Sequence, residues 1–264
     1  MTDATDATDA TDDLQVRLEG SVLHVVFDRP QARNAMTFAM YEGLVAACEQ
    51  ADASDDVRAV LLRGAGGRAF VAGTDIAQFA GFDGPRGVAY EKTIDATIER
   101  LLAVRVPVVA AIDGACVGGG LAIAAAADVR VAHTSARFGY PIARTLGNTL
   151  SARSYALTLR HFGHARTIDM ITTARLLDAA EAHTCGFVTR TTDDVDATTA
   201  EVLDAILSHA PLTMAAGKEI LRRLHAAAGT VDVDDVVAGV YGSDDFAHGV
   251  AAFTTRGTPD WQGR

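Results

Sequence analysis

Two glycine turns are the places in this chain where the backbone itself could do chemistry. Phe70-Val-Ala-Gly-Thr-Asp75 sets Gly73 between an apolar run and a helix-like run. Gly114-Ala-Cys-Val-Gly-Gly-Gly120 does the same, with three consecutive glycines ahead of an alanine-rich segment. A strand-to-helix turn leaves backbone N–H groups unpaired and points the positive helix end at the same spot. Two such turns facing each other make a hole for an anion, and glycine is needed because the ligand must touch the backbone. For the enolate oxygen of a thioester, the hole would be electrostatic catalysis worth ~3–4 kcal/mol per donor. Gly64-Ala-Gly-Gly67, by contrast, reads as a turn with a purely geometric role.

Other glycine chemistries fail on inspection. No Gly-Lys-Ser/Thr follows Gly118–Gly120, so the run does not cradle a nucleotide triphosphate. Its spacing does not match a dinucleotide fingerprint, and no Gly-x-Ser-x-Gly offers a serine nucleophile. Cys48, Cys116 and Cys185 are far apart and read as free thiols rather than a disulfide framework or zinc site. His161 and His164 could share a helix face but lack a third ligand, so no metal is expected. Asp232, Asp234 and Asp235 lack the glycine and closing glutamate of a calcium loop and read as a helix start.

The elements that would carry the turns are legible in outline. Apolar residues make up 49 % and charged residues 22 %, the composition of an ordinary globular protein. The net charge of −11 argues against nucleic acid as a partner. No charge-free apolar run has membrane-spanning length, and the acidic start of the chain resembles no targeting segment, so the expected location is the cytoplasm. Residues 1–13 repeat Thr-Asp-Ala and are expected to form a disordered acidic tail. Leu14–Leu18 and Val22–Phe27 form an expected hairpin, and Thr37 an N-cap for a helix to Ala51. Strands are expected at Val57–Arg63, Ala69–Gly73, Val106–Ile112 and Asp128–Ala132, with helices at Val88–Val104 and Leu121–Ala127. Continuous apolar strands alternating with helices imply an α/β core with both sheet faces covered, here 14–190. Residues 191–264 read as a helical extension of the same domain, including one long stretch from Asp232 to Ala252.

Order and spacing make these separate signals specific. Asp28-Arg29-Pro30 with Asn34-Ala35-Met36, Ala69-Phe-Val-Ala-Gly-Thr-Asp-Ile76 and the run Pro107–Gly120 resemble, in sequence, three successive motifs of the enoyl-CoA hydratase/isomerase (crotonase) family. Ala127–Ala132, Ala136–Gly139 and Ala179–Val188 continue the match, which covers about 14–264. The resemblance implies a crotonase-like spiral of β-β-α units and a helical C-terminal trimerisation region, with trimers often paired into hexamers. It places the oxyanion hole at the N–H groups of Thr74 and Gly119. It puts Ala35, Ala72 and Ile76 along the coenzyme A path, Trp261 near the adenine and Arg256 at a phosphate. Coenzyme A would enter as part of an acyl-CoA substrate, with no separate cofactor.

The chain departs from the family pattern where hydration is performed. Adding water needs a base and an acid, which the family's hydratases supply as two glutamates. Their positions here hold Ala122 and Ile142, which cannot transfer protons. The following stretch Leu146–Ser151 contains no carboxylate, and its Asn148 and Ser151 read as helix caps. The remaining acid/base candidates are Asp75, Glu91, Tyr90 and Tyr140, with Glu91 and Asp75 preferred. Against those roles, Asp75 could simply cap its helix and Glu91 could be a solvated helix residue. Isomerisation or decarboxylation, which need fewer proton-transfer groups, are therefore favoured over hydration. A catalytically silent acyl-CoA-binding paralogue is the alternative, and a serine peptidase of the same fold lacks any motif.

Overall fold

The computed structural model describes residues 13–227, 231–259 and 261–263. The acidic tract 1–13 lies outside them except for Asp13, whose carbonyl accepts the Asp28 N–H and whose carboxylate meets Arg29 at 3.2 Å. The chain opens with the hairpin β1 (Leu14–Glu19) and β2 (Val22–Phe27), then α1 (Phe38–Ala53), capped by the Thr37 hydroxyl on the Met40 N–H. β3 (Ala59–Gly64), β4 (Ala69–Ala72) and α2 (Gly84–Leu102) follow, then β5 (Val108–Ile112), β6 (Ala115–Val117) and α3 (Gly119–Ala126). β7 (Val129–His133), β8 (Arg137–Gly139), α4 (Ile142–Thr145) and α5 (Ala152–Thr173) make the next turn of the same pattern. The remainder is β9 (Leu177–Asp178), α6 (Ala179–Thr184), β10 (Arg190–Thr192), α7 (Val195–Ser208), α8 (Pro211–Ala226), α9 (Asp234–Tyr241) and α10 (Asp244–Thr255).

After the β1–β2 hairpin, the pairs β3/β4, β5/β6 and β7/β8 each send one strand to each of two sheets. The six-stranded sheet runs β1-β2-β3-β5-β7-β10, parallel apart from the β1–β2 hairpin. The four-stranded sheet runs β4-β6-β8-β9, with β4, β6 and β8 parallel. Alternation along β3 shows why both faces are apolar. Val60 and Leu62 join the main core, whereas Ala59 and Leu61 pack under Val195, Val202 and Ile206 of α7.

Three expectations need correction. The glycine-rich turn 114–120 contains β6, three residues that bridge β4 and β8. The long helix expected over 232–252 is two helices, because Ser243 starts α10 afresh by capping the Phe246 N–H. Ser151 does cap α5, accepting from Ser154 N at 3.1 Å, but Asn148 does not cap it and instead donates to the Tyr241 hydroxyl at 3.1 Å.

One buried cation ties the core together behind the glycine turns. The Arg130 guanidinium donates to the carbonyls of Phe187, Ala124 and Ala127 and lies 5.0 Å over the Phe187 ring. Two of those carbonyls belong to the C-terminal end of α3, where a cation opposes the helix dipole. Burial pulls its pKa down to about 10, which still leaves it charged at neutral pH. Arg130→Met should cost about 2–4 kcal/mol, because it strands buried carbonyls without donors. Urea unfolding measures this, and a loss under about 0.5 kcal/mol, the range of an ordinary surface substitution, would remove Arg130 from the account.

Candidate active site

The turns after β4 and β6 sit side by side at the carboxyl ends of parallel strands, the usual place for a ligand in such sheets. Gly73 (φ 91°) and Gly118 (φ 57°) both adopt left-handed backbone that side chains resist. A Cβ on Gly118 would stand 3.2 Å from the Gly73 Cα, and one on Gly120 only 2.1 Å from the Val71 carbonyl oxygen. The close approach is thus possible only with glycine at these positions. The loop before α1 braces the first turn: Met36 N donates to Gly73 O and Asp75 N to Met36 O, both at 2.8 Å. Among the described residues, neither the Thr74 nor the Gly119 N–H has a hydrogen-bond partner. Gly119 is also the first residue of α3, whose positive end faces the same space.

Hydroxyl groups crowd this space. The Tyr41 hydroxyl lies 2.8 Å and the Tyr90 hydroxyl 2.7 Å from Thr74 Oγ1. Tyr41 comes from α1 and Tyr90 from α2, so the two helices clamp one threonine. Burial pushes the Tyr41 phenol up to about 12 and the Tyr90 phenol well above its ordinary value. Tyr90 also packs edge-on against Phe79 at 5.0 Å, in an aromatic layer that includes Phe82, Tyr241 and Phe246.

The preferred carboxylates part company. Asp75 caps the 3-10 turn Ile76–Phe79 through Ala77 N at 3.1 Å, and its second oxygen pairs with Arg29 at 3.0 Å. The capping role weighed for it is the one the structure displays. Glu91 is 4 % exposed, which overturns the solvated-helix alternative. Its Oε1 accepts from the Tyr241 hydroxyl at 2.7 Å and its Oε2 from Ser151 N at 2.9 Å. Burial raises its pKa from 4.5 to about 7, against those two hydrogen bonds, and nearby Asp95 adds to the rise. A cavity of mixed character, lined by Glu91, Asp95, Ser151, Lys92 and Arg153 and by valines of α2 and α9, adjoins it, and Ser151 Oγ donates to Asp95 at 2.5 Å. Glu91 also lies close enough to Tyr41, Tyr90 and Tyr140 to shift their ionisation.

Ala122 and Ile142 are both buried in the main core. The Tyr140 hydroxyl meets Thr158 Oγ1 at 3.4 Å. Ala35 and Ala72 flank the braced turn, the first accepting from Arg29 at 2.7 Å and the second donating to Arg33 O at 3.1 Å. Ile76 packs on the aromatic layer. Arg256 is an exposed, left-handed C-cap of α10, and Trp261 rests its ring on Gly147. His161 binds the Ala125 carbonyl, and no group of His, Cys, Asp and Glu that could hold a metal occurs among the described residues. Cys48, Cys116 and Cys185 are free thiols. No described helix is long and apolar enough to cross a membrane.

Sequence reasoning missed Tyr41, Tyr241 and the bracing role of Asn34. Buried Asn34 accepts from Arg29 N and donates to the carbonyls of Ala65 and Ala69, which fixes the loop under Gly73. Its neighbours in the motif were a local signal for it, whereas Tyr41 and Tyr241 carried none.

Comparison with known proteins gives one consistent result. The family model for enoyl-CoA hydratase/isomerase matches residues 17–264. The enoyl-CoA hydratase EchA19 of Mycobacterium tuberculosis is 31 % identical, over 96 % of this chain and 97 % of its own. An enoyl-CoA hydratase/carnithine racemase structure from Magnetospirillum magneticum superposes with a TM-score of 0.79 at 31 % identity, covering 97 % of each chain. A methylmalonyl-CoA decarboxylase structure reaches a TM-score of 0.85 at 23 % identity, over 97 % of this chain and 100 % of that one, and bears on the fold alone.

Proposed function

This chain belongs to the enoyl-CoA hydratase/isomerase family, and we propose that within it the protein moves a proton on an acyl-CoA thioester without adding water. The observation that carries the reading is the pair of N–H groups at Thr74 and Gly119, without partners among the described residues, in two glycine turns that only glycine lets approach so closely. A thioester oxygen seated there would hold the negative charge of an enolate. Glu91 is the proton carrier in this proposal. A carboxylate with a pKa near 7 can both take and return a proton at neutral pH. Each of its oxygens accepts one hydrogen bond and keeps a lone pair for the substrate.

On a 3-enoyl thioester the steps balance with one base. Glu91 takes a proton from C2, the electron pair passes to the thioester oxygen in the hole, and the same proton returns at C4. The product is the 2-enoyl thioester. Hydration would need a second proton-transfer group where Ala122 and Ile142 stand. Coenzyme A belongs to the substrate, with no further cofactor proposed. Ala35, Ala72 and Ile76 flank its thioester end, and Arg256 and Trp261 are the proposed contacts for its nucleotide. The protein is proposed to act in the cytoplasm as a homotrimer or a dimer of trimers. Exposed Leu212, Ile220, Leu221 and Leu224 on α8 give an apolar face for such assembly.

Incubation with crotonyl-CoA, a 3-enoyl-CoA and a malonyl-type CoA, followed by mass spectrometry, tests the reading. Conversion of the 3-enoyl substrate to its 2-enoyl isomer is expected. Hydration of crotonyl-CoA at enzymatic rate would overturn it. Binding of all three thioesters without turnover would leave a silent binder instead.

A further inference from the structure

We propose that Tyr241, held by Asn148, is a positioning residue that aims the Glu91 carboxylate for proton transfer. The inference rests on the reading of Glu91 as the proton carrier and adds the group that holds it. It begins with two glycines. Gly84, Gly87 and Glu91 follow one another about one turn apart on one face of α2. A Cβ on Gly84 would stand 2.5 Å from the Ala238 carbonyl oxygen, and one on Gly87 only 2.2 Å from the Tyr241 Cγ. The bare glycines let α9 lie directly on α2, with the Tyr241 ring where Gly87 has no side chain. One turn further along that face, its hydroxyl meets Glu91 Oε1 at 2.7 Å.

The phenol's single proton sets the direction of this contact. Burial, together with the facing Glu91, holds the Tyr241 hydroxyl well above its ordinary pKa, so it stays protonated. Its oxygen accepts from Asn148 Nδ2 at 3.1 Å, and its proton is left for Glu91. The opposite orientation of the amide would set Oδ1 against a carboxylate for that one proton, and the charged acceptor makes the stronger bond. The donors thus run from Asn148 to Tyr241 to Glu91. The ring has little freedom to turn away, being 1 % exposed and packed on Phe246 at 4.8 Å and Tyr90 at 6.2 Å.

Two donors then fix the plane of the carboxylate, Tyr241 on Oε1 and Ser151 N, at the start of α5, on Oε2 at 2.9 Å. A base aimed in advance loses no freedom when it meets its proton. Both bonds also favour the ionised form, against burial and the charge of Asp95 on the same helix. The other charged groups nearby, Lys92 of α2, Arg153 of α5 and Asp232 and Asp234 on the α9 side, line the adjoining cavity. Tyr41, Tyr90 and Tyr140 are protonated phenols. Removing the Tyr241 hydroxyl takes away one pin and one stabiliser of the negative charge together, and leaves these groups in place.

The test is Tyr241→Phe, which keeps the ring and its packing, read by isomerisation of a 3-enoyl-CoA across pH. In the unaltered protein kcat should rise through about 7 as the carboxyl of Glu91 ionises. Tyr241→Phe should move that midpoint up by about one pH unit and lower the high-pH plateau on the order of tenfold, with KM nearly unchanged. A lower plateau with an unmoved midpoint is what loosened packing alone would give, and it would overturn the proposal. A raised midpoint with a wild-type plateau would mean that Tyr241 tunes the carboxyl without aiming it, which overturns the proposal as well. Wild-type behaviour of Tyr241→Phe beside an inactive Glu91→Gln defeats the proposal alone. An active Glu91→Gln, or an unaltered protein without turnover, defeats the proton-carrier reading and this proposal with it. Should Tyr241→Phe lose its fold, Asn148→Ala removes the donor that holds the phenol and spares both Tyr241 and Glu91. A raised midpoint with a lowered plateau supports the proposal there, and any other result defeats it.

Discussion

Gly120→Ala is expected to abolish turnover, although the residue bears no side chain. The added Cβ would stand 2.1 Å from the Val71 carbonyl oxygen and 2.7 Å from the Val71 Cβ. A carbonyl in a parallel ladder cannot swing aside, so α3 must retreat from β4. Retreat carries Gly119 away from Thr74, and the two N–H groups no longer converge. Losing one oxyanion donor costs roughly 10²–10³ in rate, and displacement of the whole turn should cost at least that. Gly217→Ala on α8 provides the contrast, since open space surrounds Gly217 and its φ is ordinary. That change should leave turnover intact and raise stability by about 0.5–1 kcal/mol. Steady-state kinetics beside thermal unfolding would separate the two, and an active Gly120→Ala would mean that the turns need not converge.

Glu91→Gln is expected to suppress turnover and to remove a pH dependence from folding stability. In the folded protein burial raises the carboxyl pKa from 4.5 to about 7. Between those values the folded state holds a proton that the unfolded chain has released. Stability from this group is therefore intact below about pH 4.5, falls as pH rises toward 7, and stays reduced above it. The shift corresponds to about 3 kcal/mol, and burial of Glu91 leaves little solvent screening to discount. Glutamine has no proton to release, so the stability difference between variant and wild type should move in the variant's favour by that order across the window. Turnover in wild type should rise with pH through about 7 as the base frees, and the variant should lose on the order of 10²–10⁴ in rate. Urea titrations at several pH values and a kcat profile check both. A variant with wild-type kcat would transfer the proton role elsewhere.

The parts of this molecule that are local in the chain were legible in it. The hairpin, the Thr37 cap and the two glycine turns each depend on neighbours within a few residues. β6 escaped because three residues between glycines carry no period, and its strand character comes from β4 and β8 on either side. The sequence marks Glu91 as an acid/base candidate but not as a buried one. What buries it is Tyr241, 150 residues further on, and no spacing within α2 announces that partner. Asp75 shows the converse. Its partner Arg29 lies 46 residues upstream, and only the folded chain reveals that both oxygens are occupied. Tyr41 carries no signal in its own helix, because its hydroxyl finds Thr74 across the fold.

The bond from Tyr241 to Glu91 also sets an order of assembly. A chain made from its N-terminus completes the glycine turns once β8 pairs with β6, by residue 139. At that moment Glu91 has neither Tyr241 nor Ser151, and α9 does not yet cover it. Its carboxyl would still be an ordinary, solvated acid, fully ionised and a poor proton carrier at neutral pH. On the proposed roles, a growing chain would have the charge-holding turns long before the proton carrier. On that reading, the nascent protein would stay chemically quiet until its last helices arrive.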